Sequence, residues 1–230
     1  MTRKIIFFDA DDTLWENEGY FRNAEKEFAE LLHHEADASS VQETLWARQE
    51  GNIPIFGYGS KTYMLGMLDT ALELCGGSLS SEVYYGIKKI ITDLAYHRFV
   101  MIDGVESTLG EIRDMGYMLA VATKGDLTEQ LSKYRKSGLS RFFHHIEVLE
   151  NKDRKNYLEL CQKFDIEPEE LVMVGNSVKS DIIPVIEIGG RAIHVPHEMA
   201  WTHELAPMPK SDRVFEVGSI RDVPAVVRAF

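Results

Sequence analysis

Apolar residues fall in short runs along the chain, at Ile5 to Phe8, Met118 to Ala122, His145 to Leu149, Leu171 to Val174, Ala192 to Val195 and Val214 to Val217. Runs of this length with little polar alternation read as strands buried on both faces. Between most of them apolar positions recur at helical spacing, as in Leu127, Leu131 and Tyr134, or Tyr157, Leu158 and Cys161. Strands alternating with helices predict an α/β fold whose parallel sheet is covered on both faces.

The alternation is interrupted once. From Trp15 to about His97 the pattern is helical throughout, with apolar stripes at Phe21, Ala24, Phe28, Leu31 and Leu32, at Tyr63, Leu65, Met67, Leu68, Ala71 and Leu72, and at Val83, Ile87, Ile90, Ile91 and Leu94. A crossover between parallel strands needs only about a dozen residues. The segment therefore reads as an inserted helical domain over residues 17–97, with residues 1–16 and 98–230 forming the core. The breakers "GNIP" at 51–54, "GYG" at 57–59 and "CGGS" at 75–78 divide it into helices.

Composition narrows the function. The 230 residues are 44% hydrophobic and 27% charged, as in a soluble globular protein. A formal net charge of −12 argues against nucleic acid and against anionic membranes, because the long-range field repels polyanions. A small anionic substrate stays possible if local cations override that field. Cys75 and Cys161 lie far apart without metal-ligand spacing and read as ordinary buried thiols of a reduced compartment. No apolar stretch has the length of a membrane span, so a cytoplasmic location is expected. Nothing in the sequence fixes an oligomeric state.

In an open parallel sheet, ligands bind at the carboxyl ends of the strands. Three polar clusters fall there. Asp9, Asp11, Asp12 and Thr13 follow the first strand, and on extended backbone Asp9 and Asp11 would point the same way. In "AVATKGD" a strand ends at Thr123 and turns through Lys124 and Gly125 into a helix, presenting a hydroxyl and N–H groups to an anion. In "MVGNSVKSDI" Gly175 permits a tight turn while Asn176 and Asp181 supply oxygens. Lys152, in "LENKDRKNY", is a cation able to neutralise a phosphate or an aspartate. Each cluster alone is also what an N-cap or polar turn looks like. The three clusters and Lys152 in this order, each beside an expected strand, exceed what turn chemistry alone produces.

The segments "FFDADDTL", "AVATKGD", "NKDRKNY" and "MVGNSVKSD" resemble the four motifs of the haloacid dehalogenase-like hydrolases, and the helical insertion resembles that superfamily's helical cap. The resemblance spans nearly the whole chain. It implies a Rossmann-like core with a cap that opens to admit substrate and closes to exclude water. It implies that Asp9 is the nucleophile forming an aspartyl-phosphate, that Asp11 is the general acid and base, and that Thr123 and Lys152 hold the phosphate, with Lys124 beside them. Thr13 would hold the turn that carries both aspartates. Mg²⁺ would be bound by the Asp9 carboxylate, the Asp11 backbone carbonyl, Asp181 and Asn176. The family often has Asp where this chain has Asn176, so one negative charge is missing from that set.

On this resemblance the expected reaction is hydrolysis of a small phosphorylated metabolite. Sugar phosphates, phosphoglycolate and nucleotides all fit. Asp11 is expected to start protonated, its crowded surroundings raising its pKa, so that activity falls at high pH. The alternatives are a metal-independent haloacid dehalogenase, in which the residue two after the nucleophile is not an acid, and a non-catalytic phospho-ligand sensor. "GYGSKT" at 57–62 lacks the strand and glycine of a nucleotide loop and is either a leaving-group contact or a plain turn. The pairs His33–His34 and His144–His145 are expected to diverge rather than bind metal.

Overall fold

The computed structural model describes residues 5–96, 99–199 and 206–230. The strands β1 (Ile5–Phe8), β2 (Met118–Lys124), β3 (His145–Leu149), β4 (Val172–Gly175), β5 (Arg191–His194) and β6 (Val214–Glu216) form one sheet in the order β3-β2-β1-β4-β5-β6. Every pairing is parallel. The chain reverses its direction of travel across the sheet between β1 and β4, and that switch point opens a crevice beyond the strand ends.

Side-chain alternation on β1 explains the layering. Ile6 and Phe8 join one core with Val105, Leu109 and Ile112, whereas Ile5 and Phe7 join a second with Tyr157, Leu160 and Cys161. The first core is covered by α5 (Val105–Asp114) and α9 (Val223–Val227), the second by α7 (Arg154–Phe164) and α8 (Ile183–Glu187). All four β1 side chains are buried, each contributing about 1.5–3 kcal/mol. Phe7→Ala would cost about 3–5 kcal/mol, more than most point changes.

Contacts divide the chain into one unit of Met1–Glu18, Phe99–Lys124 and Gln130–Phe230 and a second of Gly19–Arg98 and Gly125–Glu129. The second contains α1 (Glu18–Leu31), α2 (Ala38–Phe56), α3 (Ser60–Leu74) and α4 (Ser81–Ala95), packed around Phe28, Leu45, Met67 and Ile87. Asp37 and Ser80 cap α2 and α4 by accepting from Ser40 N and Val83 N. Gly59, at the N-cap of α3, has no side chain to offer. Glu129 takes over, accepting from Ser60 N at 3.0 Å and Ser60 Oγ at 2.9 Å, while Lys61 Nζ donates to Asp126 Oδ2 at 2.7 Å. Gly59 itself has φ +126°, and a Cβ there would lie 3.0 Å from Asp126 Cβ. The "GYGSKT" stretch is thus an inter-helix turn and first helical turn docked on residues 125–129.

Two expectations are corrected. The helix α6 (Leu127–Lys136) buries its apolar stripe only in part: Leu127 is 59% exposed, Leu131 and Tyr134 are partly buried with Tyr134 packed against the first core, and the buried side chains are Gln130 and Lys133. His33 and His34 do not diverge, because they lie in a turn after α1, where their ring centroids are 3.6 Å apart. Both cysteines are free, Cys161 buried and Cys75 only half-buried. Among the described residues no helix is long and apolar enough to cross a membrane.

Candidate active site

Asp9 is the first residue past β1, and its N–H donates to Val174 O of β4 at 2.8 Å, which fixes it at the switch point. Lys152 Nζ binds Asp9 Oδ1 and, at 2.7 Å, Asp181 Oδ1. Thr13 Oγ1 lies 3.2 Å from both Asp9 Oδ2 and Asn176 Oδ1, so one hydroxyl proton serves either oxygen in turn. Asp9, Thr13, Lys152, Asn176 and Asp181, spread over the sequence, are therefore one connected group.

Local structure sets each member. Lys152 immediately precedes Asp153, whose carboxylate caps α7 by accepting from Asn156 N at 3.0 Å. Asp181 sits in a π-helical turn, Val178–Ile182, and accepts from Ser177 N at 3.0 Å. Tyr157 of α7 ties that turn down by donating to Ser180 O at 3.0 Å. Gly175 is needed for clearance rather than for a turn conformation, since a Cβ would lie 2.2 Å from Asp181 Oδ2. Thr123 is buried at the end of β2, and Lys124 Nζ reaches Ser180 Oγ at 2.9 Å.

Two buried carboxylates, Asp9 and Asp181, converge on the Lys152 ammonium. Burial, with Asp181 adding to it, outweighs the attraction of Lys152 and pushes the Asp9 carboxyl up to about 7. Burial also works against the Lys152 ammonium, but Asp181 and Asp9 outweigh it and raise its pKa.

Asp11 has different surroundings. Residues 10–15 are not extended: Leu14 N and Trp15 N return to Ala10 O, and Asp12 adopts φ +62°. The turn gives Asp11 partners of its own. Its carboxylate accepts from Trp15 Nε1 at 2.6 Å, Gln130 Nε2 at 2.8 Å, and Lys133 Nζ at 3.0 Å to each oxygen. Burial pushes against the charge, yet the Lys133 ammonium and these hydrogen bonds outweigh it and hold the carboxyl below the usual range. The expectation of a raised Asp11 pKa is reversed, because crowding by carboxylates was weighed without the donors on α6. Gln130 Oε1 is buried without a hydrogen-bond partner among the described residues, a cost of about 1–3 kcal/mol.

Asp12, Glu16 and His197 also approach closely enough to hold a cation. The Asp12 carboxylate, however, already accepts from Asn17 N and Glu18 N, and both ring nitrogens of His197 are engaged, Nε2 with Glu16 and Nδ1 with Met199 O. This group ties the chain leaving the first motif to the loop after β5.

Gln130, Lys133 and the Trp15 indole are the site residues that sequence reasoning missed. The stripe Leu127, Leu131 and Tyr134 pointed to another face of α6, so no periodic signal marked them.

A doubly wound parallel sheet with an acidic centre at its switch point and a helical insertion after its first strand defines an α/β enzyme scaffold. Residues 3–189 match the model of the haloacid dehalogenase-like hydrolases, and the chain belongs to that family. It is 36% identical to a haloacid dehalogenase-like family hydrolase from Xanthomonas campestris, with TM-score 0.89 over 99% of this chain and 91% of that one. A glyceraldehyde 3-phosphate phosphatase from Pyrococcus abyssi is 27% identical over 83% of this chain and 80% of its own length. An N-acylneuraminate-9-phosphatase from Mus musculus is 23% identical over 98% and 94%.

Proposed function

We propose that this chain is a Mg²⁺-dependent phosphatase that hydrolyses a small-molecule phosphate monoester through an aspartyl-phosphate on Asp9. The observation that carries the reading is the buried Asp9–Lys152–Asp181 group, in which two carboxylates converge on one lysine and the Asp9 carboxyl is pushed up to about 7. Asp9, Asp181, Asn176 Oδ1 and the Asp11 carbonyl are an all-oxygen donor set, which fits a hard divalent ion. When bound, Mg²⁺ supplies the positive charge that lets a phosphate dianion enter among carboxylates.

The chain's own groups supply the rest. An Asp9 oxygen attacks phosphorus, forming an O–P bond as the bond to the leaving oxygen breaks. That oxygen takes its proton from Asp11. Water then attacks phosphorus and gives its proton to Asp11, releasing inorganic phosphate and restoring the Asp9 carboxylate. The ionised form of Asp11, which its surroundings favour, is the one that accepts the proton from water, and the protonated form is the one that serves the leaving oxygen. Thr123, Lys124 and Lys152 bind phosphate oxygens. An acid two residues after the nucleophile favours phosphoryl over haloacid chemistry. Glyceraldehyde 3-phosphate, named for relatives, is the first natural ester to assay.

An aryl phosphate should be hydrolysed with Mg²⁺, with activity lost to a chelator and in Asp9→Asn. A folded protein with no turnover on any phosphate ester would overturn the reading and favour a sensor.

A further inference from the structure

Helix α6 presents the wrong residues to the interior for a helix that only covers a sheet. Gln130 and Lys133, three apart on one face, are 3% and 9% exposed, while Leu127 faces out. Both buried side chains end on Asp11. Lys133 Nζ also donates to Asn17 Oδ1 at 2.7 Å, so one ammonium joins two points of the chain following β1. The Gln130 amide is oriented by two acceptors, Asp11 Oδ2 at 2.8 Å and Lys124 O at 3.2 Å. Reversing it would set oxygen against oxygen, and the observed orientation leaves Oε1 unpartnered among the described residues. A buried lysine and a buried orphan acceptor are both unfavourable for stability, and both are concentrated on a single carboxylate.

We infer that Gln130 and Lys133 are positioning residues for Asp11, holding its carboxylate through both oxygens where it exchanges protons with the leaving oxygen and with water. The inference rests on the phosphatase reading above, in which Asp11 meets the reacting oxygens. Gln130 and Lys133 act on the reaction through Asp11. Misplacement of a catalytic group by about 1 Å is worth up to about 100-fold in rate.

Steady-state kinetics on an aryl phosphate with Mg²⁺ test this. Lys133→Met should lower kcat about 10- to 100-fold with KM changed less than about threefold. Gln130→Leu should lower kcat about 3- to 10-fold, Lys133→Arg should recover part of the loss, and Arg135→Met, an exposed cation on the same helix, should match the wild type. In an Asp11→Asn background Lys133→Met should add less than about twofold. Full multiplication of the two effects, or a wild-type kcat in Lys133→Met, would overturn the inference. If Asp11→Asn is as active as the wild type, or the wild type hydrolyses no ester, the reading of the site fails instead. The inference then stands or falls on crystal structures of Gln130→Leu and Lys133→Met: Asp11 should leave its position while Asp9, Lys152 and Asp181 keep theirs, and an unmoved Asp11 refutes it.

Discussion

Asp9 and Asp11 stand two residues apart, yet their surroundings act on them in opposite directions. Asp9 shares one lysine with a second buried carboxylate, and its ionised form is disfavoured. Asp11 accepts from a lysine, an amide and an indole, and its ionised form is favoured. The difference shows that local acid density is a poor guide to protonation when donors arrive from distant elements. It fits the different work proposed for the two groups, Asp9 beside a metal ion and Asp11 exchanging protons.

The largest effect expected from this comparison is on Lys152. Replacing it by Met leaves two buried carboxylates without a cation and should cost about 3–5 kcal/mol in chelator, measured by urea denaturation. Added Mg²⁺ should restore part of the loss, and a variant as stable as the wild type in chelator would contradict the charge balance described.

Next come the neutral replacements, which should have opposite signs in metal-free buffer. The folded-state pKa of Asp9 lies above its unfolded value, so its contribution is fully present below about pH 4 and is lost as pH rises through about 7. Asp9→Asn should therefore be more stable than the wild type at pH 8, with the gain vanishing near pH 4. Asp11 is depressed, so its contribution is present above about pH 4 and is lost as pH falls further. Asp11→Asn should be less stable by about 1.5–3 kcal/mol at pH 8, the deficit shrinking in acid. Thermal midpoints across pH measure both, and a shared sign at pH 8 would break the comparison. For the proposed general acid, the loss of activity on raising the pH is correspondingly expected to set in at lower pH than a raised Asp11 pKa would give.

The smallest effect belongs to Trp15→Phe, which removes a single donor from Asp11 and keeps the buried ring. It should cost roughly 1 kcal/mol and lower kcat less than Lys133→Met does. A larger loss in Trp15→Phe than in Lys133→Met would mean that the indole, not the ammonium, dominates the Asp11 setting.

Much of the fold was legible in the sequence because its determinants are local. The doubly buried strands appear as apolar runs, and the helical insertion as a long stretch of helical periodicity without a strand, so the parallel sheet and its carboxyl-edge site followed. Strand ends shifted by one or two residues, with Lys124 inside β2 rather than in the turn beyond it, because hydrogen bonding to β3 continues past the last apolar side chain. Asp9, Thr13, Lys152, Asn176 and Asp181 were named from their motifs, and the sheet topology brings them together. Gln130 and Lys133 were invisible, since their burial is decided by Asp11 across the fold and opposes the helix's own apolar stripe. The role of Gly175 was misread for a related reason: its Cβ would meet a side chain six residues on, a contact that no turn propensity encodes.

The central claim is that Asp9 becomes covalently phosphorylated. Acid-quenching the enzyme within the first turnover of an aryl phosphate with Mg²⁺, followed by peptide mass spectrometry, should find a phosphoryl group on the peptide carrying Asp9 and none in Asp9→Asn. Turnover with every aspartyl peptide unmodified at each quench time would contradict it.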